Sequence, residues 1–446
     1  MIDAIRRQLA APDLARRLEQ LAGDAAASAP VSLRIELGAG TADWLNRLPA
    51  DGHFWYRARP ERREFRLGIG HALQVASSGP NRFAALDNAM AGFCQAWRCE
   101  RPALAFAGFT FATASESVLP NALLAIPAIL LESVDGQCAL TLSVAAGRIA
   151  PAVAEWQQCF GHTSRSTAAD LLPARPQALA EQAWLARVQA ALRDITAGRV
   201  DKLVLARSLS LESRTAFAPA TVLTSLVEQQ PDSTIYAHGN GQQTFLGATP
   251  ERLVRLRGRQ IDVDALAGTA WPGSVALDAD KNQHEQTLVV KAIMAALAPL
   301  CLTPPHTSPL GEQSAGQLRH LRSRITASAQ PGTTLFDLVR ALHPTPAVGG
   351  YPSCPALDWL ATHGEQRSAW YSGGFGLLDS TGNGEFSVAL RSALLAGTKA
   401  ELQAGAGIVA GSDPQQELAE TEAKFGTLLA ALTDTHRLRR SGTGDF

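Results

Sequence analysis

The chain has 446 residues, of which 46% are hydrophobic and 18% are charged, so it can bury one large core or two moderate ones. Lys and Arg together (40) nearly cancel Asp and Glu (41), which favours a small-molecule ligand over a nucleic-acid or membrane-surface partner. The six cysteines include no Cys-x-x-Cys pair or His/Cys cluster, so we expect reduced core thiols and neither zinc nor disulfides. The longest apolar run, residues 122–131, contains Pro127 and is too short to span a bilayer, so we expect a cytoplasmic protein.

The N-terminal part mixes helix and strand patterns. Residues 1–22 have a loosely helical spacing of apolar residues, and residues 31–37 alternate as a strand. Further strands are predicted at 64–69, 104–111, 123–131 and 139–144. Residues 161–176, rich in Ser, Thr and Ala and containing two prolines, form the best candidate for a linker.

The remainder begins with a helix whose apolar face runs from Trp184 to Ile195. Its later elements are helices near 219–230, 281–299, 335–343 and 414–433, and strands at 203–210, 233–238, 243–247, 252–256, 260–266, 370–378, 385–396 and 401–409. Short strands joined by tight turns predict an α+β fold in which large, mainly antiparallel sheets are covered by helices.

A lysine lies inside one predicted core strand. With a two-residue period, Lys202 shares a face with Val200, Val204 and Ala206. One interpretation is that its stem lies on apolar surface while the ammonium reaches solvent. The other is a desolvated lysine that acts as a general base. Carboxylates elsewhere in the chain must decide between the two.

Two predicted helices carry candidate partners. Glu285 lies three and four residues before the apolar stripe of its helix, so its carboxylate leans toward the core, unless it only complements the helix dipole. Asp413 and Pro414 begin the last helix, and Glu417, Glu420 and Lys424 share one of its faces, which is also typical of a surface ion pair. Two carboxylates from different helices suit Mg²⁺, which completes its shell with water and an anionic substrate.

Three loops complete the candidate site. Residues 403–409 contain Gly405 and Gly407 at a strand exit, where backbone N–H groups could bind a carboxylate. Glu251 directly follows Pro250 between two strands, so it is a positioned carboxyl group or a turn residue. Residues 343–352 form a proline-rich loop that ends in a glycine pair.

These segments resemble the chorismate-utilising enzymes, and among them the isochorismate synthases. The matching motifs lie in order over about residues 180–430: Asp-Lys-Leu-Val-Leu-Ala-Arg (201–207), Gly-Ala-Thr-Pro-Glu-Arg-Leu (247–253), Leu-Ala-Gly-Thr (266–269), Asp-Lys-Asn-Gln-His-Glu (280–285), His-Leu-Arg-Ser (320–323), His-Pro-Thr-Pro-Ala-Val-Gly-Gly (343–350), Ala-Leu-Arg-Ser-Ala (389–393) and the run 404–424. The resemblance implies that residues 1–165 contribute to a shared sheet core. It also implies that residues 178–436 form the chorismate-binding catalytic portion.

The resemblance also implies a role for each matching residue. Lys202 matches the base that activates water for attack at C2 of chorismate, and Glu251 matches the acid that protonates the departing C4 hydroxyl. Glu285 and Glu420 match the Mg²⁺ ligands, with Glu417 as support. The matching substrate-binding and pocket-wall positions are Gly268, Thr269, His320, Ala347, Tyr371, Arg391, Gly405, Gly407 and Lys424.

Three positions distinguish related activities. Anthranilate synthases carry glutamine in place of Lys202, aminodeoxychorismate synthases carry lysine in place of Ala267, and salicylate synthases carry threonine in place of Ala347. The sequence therefore predicts a Mg²⁺-dependent isochorismate synthase, an isomerase of menaquinone or siderophore biosynthesis. We expect a monomer without a glutamine amidotransferase subunit. The alternatives are a salicylate synthase and a chorismate-binding module without turnover.

Overall fold

The computed structural model describes residues 1–40, 44–49, 52–113, 117–159, 169–172, 177–274, 277 and 280–433. Most of the predicted linker, residues 161–176, lies outside these described residues. The helices are α1 (Ile2–Leu9), α2 (Leu14–Ala22), α3 (Arg82–Ala96), α4 (Ile149–Cys159), α5 (Ala178–Thr196), α6 (Pro219–Gln229), α7 (Asp280–Leu297), α8 (Leu335–Leu342), α9 (Ser353–Thr362) and α10 (Pro414–Thr433).

The strands fall on both sides of the predicted linker. They are β1 (Pro30–Ala39), β2 (His53–Arg59), β3 (Glu64–Ile69), β4 (Leu73–Ser77), β5 (Arg98–Cys99), β6 (Leu104–Phe109), β7 (Ala122–Ile126), β8 (Ile129–Val134), β9 (Gln137–Ala145), β10 (Lys202–Glu212), β11 (Thr234–Asn240), β12 (Thr244–Thr249), β13 (Arg252–Arg257), β14 (Gln260–Ala270), β15 (His306–Thr307), β16 (Gly311–Ala315), β17 (Leu318–Ser328), β18 (Gly350–Tyr351), β19 (Gly374–Asp379), β20 (Gly384–Val388), β21 (Ser392–Ala396) and β22 (Lys399–Val409).

These strands form two large sheets. The first has the order β18-β10-β22-β21-β12-β11-β2-β3-β8-β9-β1-β5, and the second has the order β15-β17-β14-β13-β20-β19-β6-β7-β4, with β16 paired to β17. Every pairing between these strands is antiparallel except that of β1 with β5. Strands from both sides of residue 170 lie in each sheet. The predicted α+β class of mainly antiparallel sheets is confirmed.

The two sheets face each other across an aromatic core. Trp55 of the first sheet stacks on Phe106 of the second, with ring centroids 5.4 Å apart, and Tyr236 packs on Phe375 at 5.3 Å. Separate apolar clusters attach α1, α2, α4, α6 and α10 to the first sheet and α3, α7 and α8 to the second. The fold is therefore a sheet sandwich with helices on its outer faces. None of the helices in the described part of the chain has the length and apolar character needed to cross a membrane.

Some predicted boundaries are wrong. The predicted strand 123–131 is two strands, β7 and β8, in different sheets, because Pro127 between them cannot donate to a ladder. The predicted strand 385–396 is β20 and β21, separated at Arg391, whose φ is +50°. Among the cysteines whose side chains are described, Cys354 is exposed, so it is not a core thiol.

The sequence patterns did not predict three helices, α3, α4 and α9, or seven strands, β2, β4, β5, β15, β16, β17 and β18. The helix α3 has apolar residues on most sides, which blurs a helical stripe, and α9 contains Pro355 in its first turn, where proline is tolerated. The β16–β17 hairpin contains mostly polar residues on β16. None of these misses changes where the candidate site lies.

Candidate active site

The predicted site residues converge on one cavity. It lies where β10, β14 and β22 meet the N-terminal turns of α7 and α10. Twelve of the thirteen predicted residues line it: Glu251, Gly268, Thr269, Glu285, His320, Ala347, Tyr371, Arg391, Gly405, Gly407, Glu420 and Lys424. The thirteenth, Lys202, lies directly behind Glu285.

Lys202 is fully buried at the start of β10. Its exposed fraction is 0%, and its Nζ lies 2.8 Å from Glu285 Oε1. In the described part of the chain Nζ has no further hydrogen-bond partner. The interpretation in which the ammonium reaches solvent is therefore wrong. Lys202 is therefore a desolvated lysine with one carboxylate neighbour and unused N–H donors. A lysine in this state suits acid–base chemistry beside the cavity.

Glu285 extends from the second turn of α7 toward β22 and β14. Its Oε2 accepts the N–H of Gly268 at 3.2 Å. Burial raises the pKa of Glu285, and the charges of Lys202, Lys281 and Lys424 lower it. The lowering by the three lysines together exceeds the effect of burial, so the pKa falls below its ordinary value. Glu285 is therefore ionised, as a metal ligand or a partner of Lys202 must be.

Glu251 has the opposite protonation state. It follows Pro250 between β12 and β13, and its backbone carbonyl accepts the N–H of Val388 at 3.1 Å, which fixes the turn. Burial raises its pKa to about 8, and this effect exceeds the opposing charges of Lys202, Lys424 and Arg391. At neutral pH Glu251 is mainly protonated and can act as a general acid.

Arg391 and His320 form a buried pair at the cavity wall. Arg391 donates from Nη2 to His320 Nε2 at 2.7 Å. His320 Nδ1 lies 3.0 Å from the carbonyl oxygen of Gly268, so the Nδ1–H tautomer donates there. Burial and the Arg391 charge lower the pKa of His320, which keeps it neutral. Within the described residues Arg391 Nη1 is buried without a partner, as expected of a donor that awaits an anion.

The helix α10 brings three charged residues to the site. Asp413 caps it through a 2.9 Å bond from the Gln416 N–H, and Pro414 occupies its first position, as predicted. Lys424 Nζ lies 2.6 Å from Glu420 Oε1 and donates to the Gly405 carbonyl at 2.7 Å. Glu420 is buried, so the interpretation as a surface ion pair is wrong.

Glu417 lies one turn before Glu420 and is also buried. Lys281 of α7 donates a hydrogen bond to Glu417 Oε1. Burial and the neighbouring negative charge of Glu420 raise the pKa of Glu417 to about 7. The buried carboxylates of Glu417 and Glu420 together favour a neighbouring cation, and the ammonium of Lys281 is that cation.

Gly405 and Gly407 lie inside β22, not at a strand exit as predicted. Opposite them in β10, Ala206 and Val204 donate their N–H groups to acceptors on the edge that faces away from β22. These are therefore non-hydrogen-bonded pairs, and the glycine N–H groups point away from β10 toward the cavity. A Cβ on Gly407 would lie 2.3 Å from Glu285 Oε1, so a larger residue would displace that carboxylate.

The carboxylates fit a Mg²⁺ ion that shares its ligands with a substrate. The described residues contain no group of three or more His, Cys, Asp or Glu side chains arranged to hold a metal. Glu285 and Glu420, from two helices, line the same cavity as the unpartnered Arg391 Nη1. Mg²⁺ takes one or two protein carboxylates, several waters and anionic substrate oxygens, so this donor set suits it.

Sequence reasoning missed several lining residues, among them Arg367, Ser372 and Gln403. Arg367 lies in the stretch between α9 and β19, which contains no periodic pattern. Its hydrogen-bond partners lie 2, 5, 19 and 163 residues away in the chain, so spacing alone gives no signal for it.

Comparison with known proteins agrees with this geometry. The family model described as "Chorismate binding enzyme" matches residues 25–433, so the chain belongs to the chorismate-binding enzyme family. The chain is 39% identical over 260 residues to the salicylate biosynthesis isochorismate synthase of Pseudomonas aeruginosa, covering 56% of this chain and 54% of that protein. It is 33% identical over 264 residues to the isochorismate synthase MenF of Bacillus subtilis, covering 57% and 56%. The chain thus spans little more than half the length of these curated relatives.

Solved structures share the fold. The structure of MenF, the menaquinone-specific isochorismate synthase from Escherichia coli, has a TM-score of 0.79 and 24% identity and covers 95% of this chain and 100% of that chain. Anthranilate synthase component I from Streptococcus pneumoniae has a TM-score of 0.67 and 16% identity and covers 82% and 92%.

The raised pKa of Glu251 predicts a specific stability change. Between pH 4.5 and about 8 the folded chain keeps a proton that the unfolded chain releases, so Glu251 reduces stability by about 1.4 kcal/mol per pH unit. Glu251→Gln should remove this decline, so its stability relative to wild type rises over that interval. Urea unfolding at pH 5 and pH 8 measures the change. Glu312→Gln, at an exposed residue, is the control, and parallel profiles for Glu251→Gln and wild type would contradict the assignment.

Proposed function

We propose that the protein is an isochorismate synthase, which converts chorismate to isochorismate by adding water at C2 with loss of the C4 hydroxyl group. The main support is two buried groups: Glu251, which is mainly protonated and lines the small-molecule cavity, and Lys202, which contacts the cavity residue Glu285. The names of the relatives from Pseudomonas aeruginosa and Bacillus subtilis point the same way.

The reaction needs one base and one acid. In the proposed mechanism Lys202, as the neutral amine, accepts a proton from water while the water oxygen bonds to C2 of the ring. Both ring double bonds shift, the C4–O bond breaks, and Glu251 donates its proton so that water leaves from C4. A buried lysine with a single carboxylate neighbour and an acid with a pKa of about 8 suit these two transfers.

The cavity contains cationic groups that suit a dianionic substrate. Arg391 and Lys424 line it, Lys202 lies behind Glu285, and Glu251 is mainly neutral. Arg391 Nη1 and the N–H groups of Gly405 and Gly407 are the donors that would receive a substrate carboxylate. Burial raises the pKa of Tyr371, so its hydroxyl stays protonated and can donate beside them.

A Mg²⁺ ion bound by Glu285 and Glu420 would neutralise the ring carboxylate of the substrate and orient the ring. Glu417 supports this pair from the preceding turn of α10, with Lys281 balancing its charge. Glu285 would then be shared between the cation and Lys202.

Three positions favour isochorismate synthase over its relatives. Lys202 is not glutamine, Ala267 is not lysine and Ala347 is not threonine, and both alanines line the cavity. We therefore propose that water is the nucleophile and that no covalent lysine adduct forms. The reaction would stop at isochorismate, without the elimination of pyruvate that gives salicylate.

The direct test is incubation of the purified protein with chorismate and Mg²⁺, followed by chromatographic identification of the product. We expect isochorismate as the main product. Salicylate or anthranilate as the main product would contradict the proposal, and binding of chorismate without turnover would indicate a non-catalytic module.

Loss of the base should separate turnover from binding. Lys202→Ala should abolish detectable isochorismate formation while chorismate affinity, measured by calorimetry, changes little, because the variant lacks the base and keeps the anion donors. Lys202→Gln keeps a hydrogen-bond donor beside Glu285 and serves as a second variant if the alanine variant unfolds. Lys399→Ala, at an exposed residue, is the control. Near-normal turnover in both Lys202 variants would refute the assignment.

The metal ligands should appear in metal titrations. Glu285→Ala and Glu420→Ala should each raise the Mg²⁺ concentration needed for half-maximal activity by at least about tenfold, because each variant removes one carboxylate ligand. Glu312→Ala, at an exposed residue that does not line the cavity, should titrate like wild type. Wild-type titration curves in both ligand variants would place the metal elsewhere.

A further inference from the structure

Within the described residues, the strand that carries Lys202 has no neighbouring strand along the middle of one edge. The short strand β18 pairs with the first two residues of β10, and the N–H of Val204 donates to the carbonyl of Gly349 at 3.0 Å. Next along this edge, the carbonyl of Val204 accepts a hydrogen bond from Arg367 Nη2 at 2.9 Å, and the N–H of Ala206 donates to Glu365 Oε1 at 2.9 Å. Two side chains therefore take the place of a neighbouring strand at Val204 and Ala206.

Arg367 also holds two parts of the cavity wall. Its Nη1 donates to the carbonyl of Val348 at 2.7 Å and to the hydroxyl of Ser372 at 2.7 Å. Val348 follows Ala347, and Ser372 follows Tyr371, so each bond lies one residue from a predicted substrate-facing position. One planar guanidinium thus ties together three chain segments that meet at the cavity.

The pair itself is fixed by its own surroundings. Arg367 Nε donates to Glu365 Oε1 at 3.0 Å, and both side chains are only 4% exposed. Glu365 also forms an ion pair with Arg187 of α5. The guanidinium lies over the Phe111 ring, 3.8 Å from its centroid. A dry ion pair held in this way has one geometry, and lysine cannot reproduce the guanidinium fork.

Arg367 has little capacity left for a substrate anion. Of the five N–H donors of an arginine, four are used in these bonds to the protein. Arg391, on the same cavity, contrasts with it because Nη1 of Arg391 has no partner among the described residues. The bonding pattern indicates positioning for Arg367 and anion binding for Arg391.

We propose that Arg367 and Glu365 form a positioning pair that sets Lys202 against the wall built by Ala347 and Tyr371. The pair does not touch the substrate; it fixes the distance and angle from which the base approaches the ring. The kinetic part of this inference rests on the proposed isochorismate synthase activity.

The kinetic test compares Arg367→Lys and Glu365→Gln with Arg255→Lys. Arg255 is a matched control because it is an arginine in a mostly buried ion pair, with Asp262, outside the cavity lining. A misplacement of about 1 Å costs on the order of 100-fold in rate, so both positioning variants should lose about that factor in kcat, with KM within about threefold of wild type. Arg255→Lys should change neither constant.

Two kinetic outcomes would overturn the proposal. A rise in KM with unchanged kcat for Arg367→Lys would make Arg367 a substrate ligand. Equal kinetic losses in Arg367→Lys and Arg255→Lys would reduce the pair to a general contribution to stability.

Hydrogen–deuterium exchange tests the pair without reference to any reaction. In the ligand-free protein, Arg367→Lys and Glu365→Gln should increase exchange of the peptide covering residues 203–207, while Arg255→Lys should leave that peptide at the wild-type rate. Unchanged exchange in both positioning variants would contradict the proposal. If wild-type protein formed no isochorismate, the proposed function would fail, and the exchange result alone would decide whether the pair positions β10.

Discussion

The active site depends on the buried contact between Lys202 and Glu285. It joins β10 to α7 across 2.8 Å in a setting where both charges are withdrawn from solvent. Removing one partner of such a pair costs about 3–5 kcal/mol because the other charge remains buried and unpaired. The contact also requires Gly407, since a side chain there would occupy the space of the Glu285 carboxylate. The glycine, the lysine and the glutamate therefore form one structural unit.

The charge distribution around this contact separates the roles of two buried glutamates. Both are almost completely withdrawn from water, so burial alone raises the pKa of each. Glu285 has Lys202 in direct contact, and its pKa ends below the ordinary value. Glu251 has only more distant cations and the negative charge of Asp264 nearby, and its pKa rises to about 8. One site thus contains an ionised carboxylate and a protonated one, which suits a reaction that needs groups in both states.

Sequence periodicity predicted the directions of the main side chains but not their partners. The two-residue period of a strand predicted that the Lys202 side chain points into the core, and the helical period predicted the same for Glu285. Both predictions depend only on local geometry. Their contact joins residues far apart in the chain. The resemblance to known enzymes assigned both residues to one site, with different roles, but did not predict that they touch. Arg367 was missed because its hydrogen-bond partners lie 2, 5, 19 and 163 residues away, which forms no periodic pattern. The split of residues 385–396 was missed because Arg391 adopts a left-handed conformation that its residue type does not signal.

In the proposed reaction Lys202 activates water for attack at C2, and Glu251 protonates the departing C4 hydroxyl. Turnover of chorismate in water enriched in oxygen-18, with the product examined by mass spectrometry, is the direct test of this reaction. The proposed addition of water predicts that isochorismate carries one labelled oxygen, in the hydroxyl group at C2. Isochorismate without the label would mean that the original hydroxyl migrates within the substrate, and it would contradict the assignment of Lys202 as the base for water.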